Sequence, residues 1–191
     1  NYLYPLEHSE KERAFHFAMR FVDNVGNRSE LRTTSAVVPA APPVFSSEFG
    51  PDDGFVGEGK WGRVQDPERG WVWTDSPDGD LTPGVQSGIT SQTISLKNNS
   101  NSLLKFDSKH DLNWTDKASV KVSTDGGETW NTESVVGGRQ NRSSDWAEQT
   151  VDLAQYDGQD IKIRFELEAG TSRTAKDGFS VDNMRILGDP A

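Results

Sequence analysis

The chain has 191 residues, a formal net charge of −10 and no cysteine. Its acidity gives it no electrostatic reason to bind nucleic acid or an anionic membrane. The missing cysteines exclude disulfides, thiolate nucleophiles and cysteine-ligated zinc, and no stretch approaches the roughly 18 apolar residues of a membrane span. This composition remains compatible with hard cations such as Ca²⁺, which take carboxylate and carbonyl oxygens.

The first predicted element is a β-hairpin near the start of the chain. Apolar side chains recur at every second position from Phe15 to Phe21, which is the period of a strand with one apolar face. Asp23 and its neighbours up to Asn27 supply turn residues, and "ELRTTSAVV" predicts the second strand. This pattern resembles the last hairpin of a fibronectin type III module, which implies that residues 1–38 are the C-terminal strands of such a domain. The alternative is that the hairpin packs on the next domain as an added layer.

A linker is predicted at residues 39–44, where "PAAPPV" places three prolines in six residues. Proline fixes an extended backbone and excludes helix, so the boundary between two domains is expected there.

The remaining chain, residues 45–188, has the pattern of short strands. In "IKIRFELE" the residues Ile161, Ile163, Phe165 and Leu167 share one face, and charged residues occupy the other, which we expect to face water. Turn sequences recur about every ten residues, and no segment keeps a 3.6-residue period. These features predict an all-β fold, an antiparallel β-sandwich of eight to ten strands in the jelly-roll class.

One turn has a recognisable motif. The stretch "STDGGETW" fits S-x-D-x-G-x-T-W, the pattern called an Asp box. Asp125 can accept hydrogen bonds from the turn amides, Gly126 and Gly127 permit positive φ, and Trp130 can fold back on the turn. We interpret the motif as a structural turn, not as a catalytic or metal-binding loop.

The order of motifs carries a family resemblance. After the strand "KASVKV" and the DGG turn come W-x-x-x-x-V-D-L, a Y-D-G turn, the "IKIRF" strand and "DGFSVDN". This order, and the opening "SSEFGPDDGFVGEGKWGRVQDPERGWVWTDSPDGD", resemble the MAM-like jelly roll at the C-terminus of secreted bacterial peptidases of the immune inhibitor A type. The resemblance covers residues 45–188.

The resemblance implies a non-catalytic accessory module of an exported bacterial hydrolase, most simply a peptidase. Its partner would be an upstream catalytic domain of the same polypeptide. It would stabilise that domain, or dock it to a protein substrate or a cell-surface polysaccharide, outside the cell or at its surface.

A change of phase near the end of the chain predicts a β-bulge. In "DGFSVDNMRI" the apolar residues Phe179 and Val181 have the opposite parity to Met184 and Ile186. Both pairs can face one core only if an extra residue lies between them, at Asp182 or Asn183.

The bulge is also where a calcium ion is expected. In modules similar to this one, an acidic residue of the first strand and the Asp of the V-D-N pattern share a structural Ca²⁺, and those positions are Glu48 and Asp182. Asp177, Asp75 and Asp116 are weaker additions, and the glutamate that often accompanies the position of Asp116 is absent. The alternative is that Asp182 only caps the bulge.

The sequence offers little for catalysis. There are three histidines, His8, His16 and His110, and no G-x-S-x-G, H-E-x-x-H or P-loop motif. His110 lies beside Asp107 and Asp111, but Ser87 in "GVQSGIT" has the wrong spacing for a nucleophile elbow. No activity is therefore expected of this chain itself.

Tryptophans support an alternative function. Trp61, Trp71 and Trp73 cluster in the sequence, and core packing explains Trp71 and Trp73, which share one strand face. Trp114 stands alone in the polar loop "DLNWTDK". An exposed tryptophan can stack on a sugar ring, so Trp114 is the candidate ligand platform of a carbohydrate-binding module from a secreted glycosidase or adhesin. Packing of Trp114 in the core or across the sheet edge is the competing explanation.

Overall fold

The computed structural model describes residues 11–38, 42–136, 143–172 and 176–191. The chain divides into two compact units, Asn1–Pro42 and Pro43–Ala191. The predicted linker at residues 39–44 lies partly outside the described residues. Within them, no helix is long and apolar enough to cross a membrane.

The first unit contains the predicted hairpin, formed by β1 (Arg13–Met19) and β2 (Arg32–Val38). The strands are antiparallel, with Phe15 opposite Ala36. The Asp23 carboxylate accepts hydrogen bonds from the backbone N–H groups of Val25 and Asn27, at 3.0 and 2.8 Å, and so closes the turn. Whether the hairpin belongs to a fibronectin type III domain stays a prediction.

The second unit is built from twelve strands within the described residues. They are β3 (Phe45–Ser47), β4 (Val56–Gly57), β5 (Gly62–Asp66), β6 (Gly70–Thr74), β7 (Gln86–Thr90), β8 (Ile94–Ser95), β9 (Asn99–Asp111), β10 (Lys117–Ser123), β11 (Asn131–Val136), β12 (Ser143–Asp152), β13 (Asp160–Glu168) and β14 (Gly178–Pro190). A single 3-10 turn, Ala154–Tyr156, lies between β12 and β13. The sequence predicted eight to ten strands, because strands as short as β3, β4 and β8 show no periodicity.

The twelve strands form two antiparallel sheets. The front sheet has the order β12–β9–β14–β6–β5, with β3 also on β14. The back sheet has the order β11–β10–β13–β7–β4, with β8 also on β13. Buried apolar side chains from both sheets meet between them: the rings of Phe106 on β9 and Phe165 on β13 lie 4.9 Å apart, centroid to centroid. The predicted all-β, antiparallel jelly-roll sandwich is confirmed.

The predicted bulge on β14 is also confirmed. The register against β9 shifts between Asp182 and Arg185, and Asn183 adopts a positive φ of 49°. As a result the apolar residues on both sides of the shift are buried in the same core; they are Phe179, Val181, Met184 and Ile186.

One prediction about the back sheet is wrong. The sequence predicted that the charged face of β13 is exposed to solvent, yet Arg164 and Glu166 are only 9% and 6% exposed. Lys121 on β10 and Gln86 on β7 donate hydrogen bonds to Glu166 from the two neighbouring strands. Long side chains from adjacent strands therefore cover this half of the outer face.

Candidate functional site

A groove lies on the outer face of the front sheet. Because Phe179 and Val181 point into the core, the residue between them, Ser180, points outward. Ser180 pairs with Lys109 on β9 and with Thr74 on β6. Neighbouring strands lie about 4.8 Å apart, so these three side chains form one polar row across the sheet.

The groove has a volume of about 590 Å³ and combines three kinds of surface. Val64 and Val72 contribute apolar groups, Thr74 and Ser180 contribute hydroxyls, and Trp146 on β12 contributes an aromatic ring. Charged groups complete the lining; they are Asp66, Lys109, Asp111 and Asp177. The size falls in the range of about 300–1,000 Å³ that is usual for small-molecule sites.

Arg69 holds the tryptophan in place. Its guanidinium lies over the indole ring of Trp146, 4.7 Å from the ring centroid. The same group donates to Oδ2 of Asp107 at 2.6 Å and to Oδ2 of Asp182 at 3.3 Å. Burial disfavours the charge on Arg69, but the hydrogen bonds that its guanidinium donates to the two carboxylates outweigh this effect and raise the pKa of Arg69. The Arg69 side chain therefore lies across the outer face of the front sheet, where its guanidinium is held by two ion pairs and stacks on the ring of Trp146.

The turn between β5 and β6 positions the Arg69 side chain. The Asp66 carboxylate accepts hydrogen bonds from the backbone N–H groups of Glu68 and Arg69, at 2.9 and 3.1 Å. Gly70 follows with a positive φ of 85°, a conformation that L side chains rarely adopt. The local sequence D-P-E-R-G thus forms a tight turn that directs Arg69 onto the sheet.

A buried carboxylate, Asp75, lies in the chain between the groove residues Thr74 and Ser76. Oδ1 of Asp75 accepts a hydrogen bond from the backbone N–H of Phe179 at 2.6 Å, which links the end of β6 to the start of β14. Burial raises the pKa of Asp75 to about 6, against opposing hydrogen bonds from Phe179 and Ser76. A Cβ at Gly178 would lie 2.1 Å from Oδ1 of Asp75, so only glycine fits at that position.

The structure divides the five predicted calcium ligands between two places. Glu48 is exposed and follows Ser47, which pairs with Met184 beside the bulge. Asp182 lies on the bulge but is paired with Arg69, and burial raises its pKa.

The other three predicted ligands are Asp75 and two residues near it, Asp116 and Asp177. Asp116 accepts hydrogen bonds from the backbone N–H groups of Asn113 and Gly170, and its charge contributes to the raised pKa of Asp75. The carbonyl of Asp177 accepts from the hydroxyl of Ser76 at 2.6 Å.

Among the described residues, no three His, Asp or Glu side chains are grouped so that they could hold a metal ion. The calcium site stays a prediction. Melting of the chain and of Asp182→Ala, each in millimolar Ca²⁺ and in excess EGTA, is the measurement that decides it: a bound ion raises melting only where the ligand is intact.

The Asp-box residues bond to one another. Oδ1 of Asp125 accepts from the backbone N–H groups of Glu128 and Thr129, both at 3.0 Å. Hydrogen bonds, first of all from the Thr129 hydroxyl, hold the pKa of Asp125 well below its usual range. Trp130 donates its indole N–H to the carbonyl of Gly127 at 3.1 Å, and its ring is half-buried, not buried.

The histidine and the serine that were considered for a triad lie on different sheets. His110 pairs with Phe179 and is 2% exposed, and both His110 and Asp111 are among the residues that line the groove. Ser87 is on β7 of the back sheet. His16 is exposed in the first unit, and His8 lies outside the described residues.

The predicted aromatic platform, Trp114, lies outside the groove, and its role as a platform stays a prediction. Trp114 is 70% exposed in the loop after β9 and does not line the groove, whereas Trp146 does. In the sequence Trp146 stands out only as the first residue of the W-x-x-x-x-V-D-L pattern. Its parity was a usable signal, since it differs from that of the core residue Val151 and therefore points outward.

Comparison with known proteins gives limited matches. No family model matches the chain. A segment is 28% identical over 112 residues to Bacillopeptidase F of Bacillus subtilis (strain 168), which corresponds to 58% of this chain and 8% of that protein. The chain therefore spans only a small part of the length of this relative.

Similar solved structures are carbohydrate-binding modules. A CBM61 module in complex with β-1,4-galactotriose has a TM-score of 0.48 at 14% identity, covering 74% of this chain and 91% of that one. The CBM22-1 xylan-binding domain of Paenibacillus barcinonensis Xyn10C has a TM-score of 0.48 at 15% identity, covering 78% and 96%. The C-terminal CBM6 of LamC from Zobellia galactanivorans has a TM-score of 0.45 at 14% identity, covering 75% and 98%. At these values the matches assign neither a family nor a ligand.

Proposed function

We propose that residues 43–191 form a non-catalytic, polysaccharide-binding accessory module of a secreted bacterial hydrolase. The observation that carries this proposal is the groove of the front sheet, where an aromatic ring stands beside a row of small polar side chains.

The chemistry of the groove fits a sugar. A pyranose ring has a face of C–H groups and a rim of hydroxyls. The ring of Trp146 and the half-buried side chain of Val64 match the apolar face, while the half-buried Ser180 can exchange hydrogen bonds with the rim. The net charge of −10 argues against a nucleic acid in the same groove.

The parent enzyme is most simply a peptidase. Support for this part comes from the 28% identity to a segment of Bacillopeptidase F and from the MAM-like motif order in residues 45–188. In this arrangement the module follows a catalytic domain on the same polypeptide, outside the cell. It holds that domain at a cell-surface polysaccharide, or at a protein substrate if the groove accepts a peptide.

The test is binding to insoluble polysaccharides, followed by a glycan array, with the full chain and two matched tryptophan variants. Trp146→Ala is expected to weaken binding at least tenfold, which corresponds to about 1.4 kcal/mol. Trp114→Ala, which removes a more exposed tryptophan outside the groove, is expected to bind like the parent chain.

Two results would contradict the proposal. One is retention of the parent chain on an insoluble protein such as casein and on no polysaccharide, which would favour protein docking. The other is turnover of a fluorogenic peptidase, esterase or glycosidase substrate by the pure chain, lost in His110→Ala, which would make the chain an enzyme.

A further inference from the structure

Strand β9 carries an alternating row of charges on its groove side. Three of the four residues in this row have a partner of opposite charge. Lys105 pairs with Glu148 at 3.1 Å, Asp107 with Arg69 at 2.6 Å, and Asp111 with Lys176 at 2.7 Å.

The fourth residue, Lys109, has no partner of opposite charge among the described residues. Its ammonium forms no ion pair and no hydrogen bond with any of the residues that the structure describes, although its side chain is half-buried and lines the groove. The carboxylates on either side of it, Asp107 and Asp111, are each engaged by another cation. Lys109 is thus a donor held in the groove with its hydrogen-bonding capacity unused by the described residues.

The position of Lys109 suits a ligand that lies across the strands. It stands in the same row as Ser180 and Thr74, and the row continues to Gly62 on β5, where the side chain of Pro77 lies over the glycine and lines the groove. A ligand along this row meets the ammonium donor of Lys109 and, beside it, the half-buried hydroxyl of Ser180.

We infer that Lys109 is the ligand-anchoring residue of the groove and that the ligand is a neutral polysaccharide whose hydroxyl oxygens accept from its ammonium. This inference rests on the proposed function. Polyanions are disfavoured because the groove is also lined by Asp66, Asp111 and Asp177 in a chain of net charge −10. Polycations such as chitosan are disfavoured because an amine would meet Lys109.

The experiment compares Lys109→Met with Lys105→Met in the full chain. Both variants remove an ammonium from the same face of β9, but Lys105 is paired with Glu148 and does not line the groove. Affinity is measured on neutral glucans, xylan, mannan and galactan, on polygalacturonate and on chitosan, at low and high NaCl. Lys109→Gln serves as a second variant, and thermal melting checks that each variant is folded.

Lys109→Met and Lys109→Gln are expected to weaken binding of a neutral polysaccharide at least tenfold, while Lys105→Met stays within twofold of the parent chain. Affinity of the parent chain is expected to change less than twofold with salt, since a neutral ligand releases no counterions.

The outcomes separate this inference from the proposed function. If the parent chain binds and Trp146→Ala does not, but Lys109→Met binds normally, only the role of Lys109 is overturned. A preference for polygalacturonate that falls with salt overturns the neutral ligand. If the parent chain binds no polysaccharide, the proposed function fails and this inference fails with it.

Discussion

Both outer faces of the sandwich carry charged side chains, but the face of the back sheet is covered by them, whereas the face of the front sheet keeps an open groove. On the back sheet, Arg164 donates to Glu58 at 2.8 Å, to Glu166 at 3.0 Å and to Thr90 at 3.0 Å, and Lys121 also pairs with Glu166. These groups satisfy one another and leave the face closed. On the front sheet, ion pairs surround a groove that stays open and lined by Lys109.

Side-chain size explains this difference. On the back sheet the row across the strands places Lys121 beside Arg164 and Arg164 beside Thr90, so long side chains fill the surface. Gly88 makes room for the guanidinium, because a Cβ there would lie 3.0 Å from its Cζ atom. On the front sheet the corresponding row ends in serine, threonine and glycine. The size of the side chains on adjacent strands thus decides whether a charged face is closed by its own residues or left open to a ligand.

The largest expected loss of stability comes from Arg164→Met, which removes the central cation from the covered face of the back sheet. Removing one member of a buried ionic network leaves Glu166 less well compensated, and such a loss typically costs about 3–5 kcal/mol. Urea unfolding should show a midpoint lowered accordingly, with an unchanged slope.

The matched control is Lys105→Met on the front sheet. Its ion pair with Glu148 is largely solvated, so a cost of about 1 kcal/mol or less is expected. If both variants unfold at the same urea concentration, the contrast between the two faces does not exist energetically.

The next effect concerns the buried carboxylate at the end of the open face. An acid whose pKa is raised by folding destabilises the fold once it is ionised. The pKa of Asp75, about 6 against an ordinary 3.8, corresponds to about 3 kcal/mol lost between pH 4 and pH 7. Asp75→Asn keeps an acceptor for the N–H of Phe179 and removes the charge.

Asp75→Asn is therefore expected to raise the free energy of unfolding by about 3 kcal/mol at pH 7.5 and to leave it unchanged at pH 3.5. The measurement is urea unfolding at both pH values in excess EGTA, so that no metal ion compensates the carboxylate. A variant less stable than the parent chain at pH 7.5 would show that the ionised form of Asp75 is needed.

A smaller effect should follow Arg69→Lys, which separates charge from stacking. Lysine keeps a cation near Asp107 and Asp182 but loses the planar group over Trp146. We expect stability within about 1 kcal/mol of the parent chain and polysaccharide affinity reduced about threefold to tenfold. Acrylamide quenching should also increase, by an amount absent in a Trp146→Phe background; unchanged quenching would show that Arg69 does not hold the ring.

The smallest expected effect is that of Trp114→Ala on stability. A side chain that is 70% exposed buries little apolar area, so the free energy of unfolding should change by no more than about 0.5 kcal/mol. A larger loss in thermal or urea unfolding would mean that the loop after β9 is packed more tightly than its exposure indicates.

Much of the fold could be predicted from local patterns. The parity of apolar residues identified the core faces of β10 and β13, and the change of parity after Val181 located the bulge on β14. The candidate site could not be found in the same way. The sequence pointed to Trp114, because an isolated tryptophan in a polar loop looks exposed, whereas Trp146 lies in a strand next to the groove.

The sequence by itself determined the strand class, the faces that point inward and the bulge after Val181 on β14, because these depend on the two-residue period of one strand at a time. Only the tertiary structure decided which outward face is covered and which is open. That outcome depends on which side chains neighbouring strands bring beside one another, as when Thr74, Ser180 and Lys109 meet in one row although more than a hundred residues separate the first two along the chain. Alternation shows that a side chain points outward, but only the long-range strand pairing shows whether another side chain or a ligand covers it.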